Sequence, residues 1–290
     1  MQYQGSLKDK IIDFIINFCI VLLSISILYP FYYIFLNSIN GDLIFGPVYL
    51  NLKTVTLNYY KFIFRNNYLF NSFFISVSRT IIGVPFNIII MSMCAYALRK
   101  KELALRGFYL TIFTITMFFD GGLIPKYLTL KALGMLDKFI VYILPDAFRF
   151  FVVIIFMSSF NDVPISIEES AKLDGANDFV IFSKFYLHLT LPVVATMALF
   201  EAVRHWNAWM DSVYFTSSRE LQTMQAVLTR LIKESNTQDY VADMQTSQSV
   251  VHPDGIRYAT MMVTILPIAA VYPFLQRYFI KGITVGSIKG

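Results

Sequence analysis

Glu201, Arg204, His205 and Ala208 are spaced by three, four and seven residues, which puts them on one face of any helix that covers them. The surrounding segment is apolar. Charged groups in such a setting are costly, so they are read first as functional. A carboxylate, a guanidinium and an imidazole on one stripe could hydrogen-bond sugar hydroxyls. Arg204 and His205 could also meet the carboxylate of a uronic acid. The same spacing suits a plainer role, in which Glu201 and Arg204 neutralise each other inside a helix bundle. Asn207 and Trp209 border the stripe, and an indole can stack on a sugar ring; Trp206 reads better as packing or as an interface aromatic. Upstream, Asp146 and Arg149 stand three apart, spaced either to pair with each other or to contact a ligand. Asp120, beside Gly121 and Gly122, joins the candidates for a polar path. Enzymatic chemistry finds no support. The chain has no Gly-x-x-x-x-Gly-Lys-Ser/Thr loop, so it is not expected to hold ATP. No Cys/His cluster marks a metal, and no nucleophile–base set stands out among the 3 histidines, His188, His205 and His252.

The elements that must position these residues are membrane helices. A hydrophobic fraction of 56% and a mean hydropathy of +0.57 exclude an ordinary soluble domain. Spanning the hydrocarbon takes roughly 20 apolar helical residues, and several windows qualify. The net charge of +5 reads as loop charge near lipid headgroups; no basic stripe suits nucleic acid. The 2 cysteines, Cys19 and Cys94, both lie in apolar segments and read as small buried hydrophobes, not a disulfide. Residues 11–36 are too long for a signal-peptide core and read as a retained first helix. Helices are expected at Ile11–Asn37, Asn71–Leu98, Gly107–Lys131, Phe139–Phe160, Pro192–Phe215 and Arg257–Ile280. The third is interrupted at Gly121, Gly122 and Pro125: either it breaks there and faces a cavity, because loosened backbone at membrane depth needs protein or water beside it, or it ends at Asp120 near the surface. The dense cationic cluster Arg99–Arg106 in a short loop favours that loop on the inside, which places both termini and the 161–191 segment inside too. The 216–256 segment then lies outside. Within it, Leu221, Met224, Val227, Leu228 and Leu231 recur at helical spacing and predict an amphipathic helix over Glu220–Glu234. Residues 235–255 read as a flexible loop, either contacting an extracellular partner or simply solvated.

Between the fourth and fifth helices stands Glu168-Glu169-Ser170-Ala171-Lys172-Leu173-Asp174-Gly175-Ala176, polar and helix-forming. Ser166 with Glu169 three residues on is a capping box. Gly175 is the expected left-handed terminator. Asn177 is the expected cap of a second short helix, with Asp178 in its positive first turn. Two short helices at a glycine corner make a rigid elbow. His188, alone at a membrane boundary, reads as a hydrogen-bonded surface group without chemistry.

The string Glu169–Ala176 resembles the EAA motif by which ABC import permeases dock on their ATPase, and its Asp-Gly-Ala form is similar to the carbohydrate-uptake (MalG-like) group. Tyr29-Pro30-Phe31, Gly121-Gly122-Leu123-Ile124-Pro125, His205-Trp206-Asn207-Ala208-Trp209 and Tyr278-Phe279-Ile280-Lys281-Gly282 also resemble that group, in the same order along nearly the whole chain. The second and last of these look like the LplC/YtcP-like permeases for complex oligosaccharides. Two departures stand out: Ser170 replaces the usual second alanine, and His188 stands where the family has proline, with Pro192 remaining. The resemblance implies a single 1–290 domain, an all-α integral membrane protein with six transmembrane helices of the type I ABC importer permease (MetI-like) fold and cytoplasmic termini. It implies that Glu168, Glu169, Ala171, Asp174, Gly175 and Ala176 couple to an ATPase, and that Glu201, Arg204, His205, Asn207, Ala208, Trp209, Asp120 and Arg149 border the substrate path. It further implies a bacterial plasma-membrane location and these partners: a paralogous permease, two ATPase subunits that bind ATP and Mg, an extracellular sugar-binding lipoprotein, and an oligosaccharide, acidic or complex. The alternatives are an ABC permease for amino acids or peptides and an ion-coupled secondary transporter. The capped elbow argues against the latter.

Overall fold

The structure, a computed structural model, describes residues 7–43, 47–48, 52, 54–233 and 252–287. Its contacts divide into two units, residues 1–66 with 231–265 and residues 67–230 with 266–290. The helices are α1 (Leu7–Ser38), α2 (Asn58–Arg65), α3 (Asn67–Arg99), α4 (Arg106–Phe118), α5 (Leu123–Ala132) and α6 (Phe150–Asn161). They continue as α7 (Ile165–Leu173), α8 (Asp178–Leu189), α9 (Leu191–Asn207), α10 (Met210–Phe215), α11 (Met224–Lys233) and α12 (Pro253–Ser287). Among the described residues, 3 helices are long and apolar enough to cross a membrane, or up to 6 spans if each bent pair counts as one. The chain is an all-helical integral membrane protein.

In the first unit, α1 is apolar on all sides and none of its spanning window is buried, so lipid or another chain must cover it. Cys19 lies exposed on it, against the expectation of a buried hydrophobe; Cys94 is half-buried, and both are free. The end of α1 is fixed by Asn37, which donates to Val48 O at 2.8 Å and accepts from Val48 N at 2.9 Å. Tyr33 meets Tyr258 edge-on at 5.9 Å. Gly255 lies under the Tyr59 ring, where a Cβ would sit 2.3 Å from ring carbon.

The second unit is built on α3, which packs on α6 and α9. Met91 and Ala95 of α3, Val153, Phe156 and Phe160 of α6, and Ile181 and Tyr186 of α8 form its dry centre. Three of the expected spans depart from single straight helices. The third is interrupted at the glycine pair: α4 and α5 meet at 119° across residues 119–122, where Gly122 adopts φ +79° and donates its N–H to Asp120 at 2.9 Å. The fourth is a correction. A 3₁₀ turn covers Phe139–Tyr142, and regular helix resumes only at Phe150. Pro145 supplies no N–H and disfavours helical backbone at Leu144. The fifth is a second correction: it stops at Asn207 and restarts at Met210. Arg79 donates to Ala208 O at 3.1 Å, and this side-chain bond serves a carbonyl set free at the break.

At the elbow, α7 is bent 77° from α6 and α8 is bent 85° from α9. The capping box does not form. Pro164 takes the cap position of α7, and Ser166 sits within the first turn without a capping bond. Proline at the N-cap, with its fixed φ, starts the helix two residues earlier than the serine would. The C-terminus of α7 matches expectation. Gly175 has φ +83°, Gly175 N donates to Lys172 O at 3.0 Å, and Ala176 N donates to Ala171 O at 2.9 Å, which is a Schellman closure. Asn177 caps α8 by accepting from Val180 N at 2.9 Å. A π turn at Ile181–Tyr186 follows, and α9 starts with Pro192 in its first turn. His188 lies exposed with Nδ1 3.1 Å from Ser183 O, a surface group as expected. The amphipathic helix 220–234 forms as α11 with Met224, Val227 and Leu231 buried, after a separate 3₁₀ turn at Arg219–Leu221. The loop expected at 235–255 lies outside the described residues as far as 251.

The left-handed corner makes a direct prediction. Gly175→Val should destabilise the elbow by at least about 1–2 kcal/mol, the cost of a left-handed L-residue, whereas Gly175→Asn should be tolerated. Membrane insertion should be normal in both. Limited proteolysis of the membrane-embedded chain should cut the valine variant faster at 170–180 than wild type or the asparagine variant.

Candidate functional site

Glu201 of α9 is the centre of a buried polar cluster. It is 0% exposed, and a bare carboxylate there would carry a large desolvation cost. Arg204, one turn along α9, donates to it through Nε at 3.0 Å and Nη2 at 2.8 Å. Arg149, the residue that caps α6, supplies a second ion pair from across the bundle. Asp146, in the non-helical stretch before α6, holds Lys126 Nζ of α5 at 2.8 Å. It also lies 3.6 Å from Arg204 Nη1 through its carboxylate and accepts from Arg204 Nη2 through its main-chain oxygen at 3.2 Å. The chain breaks around residues 119–122 and 143–149 thus deliver Lys126, Asp146 and Arg149 to the side of α9.

His205 is also 0% exposed and packs on Gly83 of α3, where a Cβ would lie 2.6 Å from the imidazole. Asn87 of α3 completes the contact. With its amide oxygen towards α9 it accepts from His205 Nε2 at 2.9 Å and Arg204 Nη2 at 3.0 Å, and its nitrogen donates to Gly83 O at 3.1 Å. Farther along α3, Arg79 pairs with Asp211 of α10, lies 4.7 Å over the Tyr142 ring and holds Ala208 O.

The expected stripe is therefore real but not uniformly accessible. Glu201 and His205 are enclosed, so they position their neighbours. Arg204 keeps 24% of its side chain exposed, Arg149 39% and Lys126 38%. The expected pairing within Glu201–Arg204 exists, and Arg149 adds a second cation to it. Asp146 and Arg149 do not pair with each other and do not share a helix, a correction that follows from the Pro145 break. Ala208 and Trp209 form the helix break itself, and Asn207 is exposed beside it. Trp206 is buried edge-on to Phe73 at 6.0 Å, a packing role. Asp120 serves its own turn and stands outside the cluster. Lys126, Asn87 and the Arg79–Asp211 pair were not singled out from the sequence. Arg79 and Asn87 did carry a signal, as polar residues inside a long apolar run. An apolar hollow of about 200 Å³ lies between Val77, Ala202, Trp206 and Ile268. Thr80 also lines it, but that hydroxyl already donates to Ser76 O at 2.8 Å, so the hollow suits hydrocarbon better than sugar.

The elbow forms a second constellation. Glu168 is buried at 5% exposure and accepts from Lys172 at 2.8 Å, from Tyr186 at 2.9 Å and from Arg99 of α3. Burial pushes its carboxyl up, but Lys172, Tyr186 and Arg99 outweigh that and hold it below the usual carboxylate range. Asp178 is held low chiefly by Lys100, at 2.6 Å. Glu169, Asp174, Gly175 and Ala176 are not enclosed in this way, and Leu173 is 90% and Phe179 65% exposed, so the elbow shows an apolar tip beside its charges. Among the described residues, no group of three or more His, Cys, Asp or Glu could hold a metal ion.

No protein-family model matches the chain. The polygalacturonan/rhamnogalacturonan transport system permease protein YtcP of Bacillus subtilis is 32% identical, over 98% of this chain and 100% of its own length. Protein LplC of the same organism is 36% identical, over 90% of this chain and 89% of its own. A chain in the crystal structure of a bacterial ABC transporter involved in the import of the acidic polysaccharide alginate superposes with a TM-score of 0.85 at 29% identity, over 95% of this chain and 99% of that one. A chain of the alginate transporter solved with its alginate pentasaccharide-bound periplasmic protein shares the fold, with a TM-score of 0.54 at 11% identity.

The burial of Glu201 sets an expectation for its variants. Glu201→Ala should strand Arg149 and Arg204 and cost about 3–5 kcal/mol, the usual penalty for breaking a buried pair. Glu201→Gln should cost less. Thermal unfolding of detergent-purified protein, followed by loss of the monodisperse peak, should rank wild type above Gln above Ala.

Proposed function

This chain belongs to the sugar ABC transport permeases, and from that membership we propose that it passes an acidic oligosaccharide into the cell through a path bordered by the Lys126–Asp146–Arg149–Glu201–Arg204 cluster. It is a transport subunit and not an enzyme, since ATP hydrolysis in this class is done by a separate subunit. The curated relatives favour sugar import over an amino-acid or peptide permease and over an ion-driven transporter.

One observation carries the acidic substrate. In the cluster, Lys126, Arg149 and Arg204 face Asp146 and Glu201, so three cations meet two carboxylates and one positive charge is left over. Arg149 and Lys126 are its more exposed cations, at 39% and 38%. A uronate carboxylate arriving beside them would balance the charge by a charge-assisted hydrogen bond. Arg204, tied to Glu201 and Asp146, keeps the cluster in shape. Polygalacturonan and alginate, the substrates named for two of the relatives, are polymers of such acidic sugars.

The rest of the machine follows from the class. Six spans cross the bacterial plasma membrane with both termini in the cytoplasm, the 161–191 elbow inside and 216–256 outside, the whole 1–290 chain acting as one permease domain. A paralogous permease completes the path, and an extracellular sugar-binding lipoprotein delivers substrate. Two ATPase subunits carrying ATP and Mg²⁺ dock on the elbow, where the exposed Leu173 and Phe179 offer apolar anchors and Glu169 and Asp174 a charged rim. Closure of those subunits rocks the spans between two states open to opposite sides.

Two outcomes test this reading. Arg149→Ala should lower uptake of an oligogalacturonate by about tenfold or more, since a hydrogen bond to a charged group contributes about 1.5–3 kcal/mol. Uptake of any neutral oligosaccharide should fall much less, and equal loss for both would remove the charge argument. For topology, in a protein with Cys19 and Cys94 replaced, cysteines at Lys101 and Lys172 should react with an impermeant thiol reagent only after the cells are opened. One at Glu220 should react in intact protoplasts; the reverse pattern would invert the orientation.

A further inference from the structure

The elbow is joined to the membrane spans by two covalent routes, and both run through corners. The route from α6 to α7 passes a 77° bend at 162–164, and the route from α8 to α9 passes an 85° bend at Thr190 after a π turn. Both corners are sharp bends, not continuous straight helix. A third route is non-covalent and leads into straight helix. Glu168 points inward from α7 and forms an ion pair with Arg99 in the last turn of α3. Both side chains are nearly dry, at 10% and 6% exposure, and the guanidinium stacks 4.5 Å over Tyr186 of α8. The Arg99 side chain thus touches both arms of the elbow at once. By contrast, the neighbouring Lys100–Asp178 pair has Asp178 61% exposed and adds little.

From Phe86 to Arg99, α3 contains neither proline nor glycine. Twelve residues, about 18 Å at the helical rise, separate Arg99 from Asn87. Asn87 holds His205 and Arg204 in the polar cluster. We propose that the Arg99–Glu168 pair makes α3 the connecting rod of the importer, carrying displacement of the elbow to the Asn87–His205 contact beside the substrate path. Arg99 and Glu168 are then positioning residues, and Glu168 does not face the ATPase; the exposed Glu169 and Leu173 do. The proposal rests on the importer reading above and assigns the route by which its two ends communicate.

The test uses the whole complex, reconstituted in liposomes with its partner permease, ATPase subunits and binding protein, and probed with an oligogalacturonate. The readout is the ratio of probe-stimulated to basal ATP hydrolysis, measured alongside thermal stability and subunit stoichiometry. Arg99→Gln and Glu168→Gln should each lower that ratio by about fivefold or more, the low end of a usual coupling energy. The double variant should lose no more than the worse single one, because both break the same link. Arg99→Lys, which keeps the charge, should recover most of the ratio and guards against loss through misfolding. A wild-type complex that is stimulated while both glutamine variants retain the full ratio would overturn the rod and leave the importer reading standing. Strictly additive losses would overturn it as well. A wild-type complex showing no stimulation would instead overturn the acidic-substrate reading from which the probe was chosen.

Discussion

Glu201 has no solvent-accessible surface, yet it must carry or share a negative charge. A carboxylate in that position demands cations and donors at fixed points, and the demand organises the second unit of the fold. Arg204 reaches it from the same helix, which fixes that turn of α9. Arg149 reaches it from the start of α6, so the chain must leave helical geometry before Phe150 to present it. Asp146 then balances Arg204 and draws in Lys126 from the far side of another helix break. Each break costs backbone hydrogen bonds. Such backbone persists only where protein or water satisfies it, and the cluster supplies the protein side of that requirement.

The second organising fact is the length of α3. One helix carries Arg79, Gly83 and Asn87 at the polar cluster and Arg99 at the elbow. Gly83 lets α9 approach closely enough for His205 to lie on the α3 backbone. Arg79 serves the carbonyl opened at Ala208 and the carboxylate of Asp211, so the break between α9 and α10 is held from α3 as well. The polar cluster and the elbow are therefore both referenced to one helix. The apolar packing of Met91 and Ala95 on Phe156 and Phe160 keeps that helix seated between them.

How much of this the sequence disclosed depended on the range of the interaction. Apolar runs of spanning length announced the membrane class, because hydropathy is a property of a segment alone. Gly175 and Asn177 were legible for the same reason: a left-handed closure and an N-cap are local chemistry. The capping box at Ser166 failed because Pro164, two residues earlier, competes for the same start and wins by its fixed φ. The break at Ala208–Trp209 was invisible because the group that stabilises it, Arg79, lies far away in sequence. The Glu201–Arg204–His205 stripe could be seen from its spacing. Lys126 and Asn87 could not be joined to it, since only the fold brings three other segments against α9. Asp120 closes its own turn and Asn207 is exposed beside the break, so neither joins the buried cluster.

An acidic sugar, on this proposal, passes beside Arg149 and Lys126 at a cluster built around a buried glutamate. The most direct test is a cryo-electron microscopy structure of the full complex, trapped during transport with an oligogalacturonate. The account predicts density for the sugar against the second unit, with a uronate carboxylate within hydrogen-bonding distance of the Arg149 guanidinium or the Lys126 amine and Glu201 still enclosed. Sugar density elsewhere in the path, with Arg149 and Lys126 covered by protein or lipid, would contradict it.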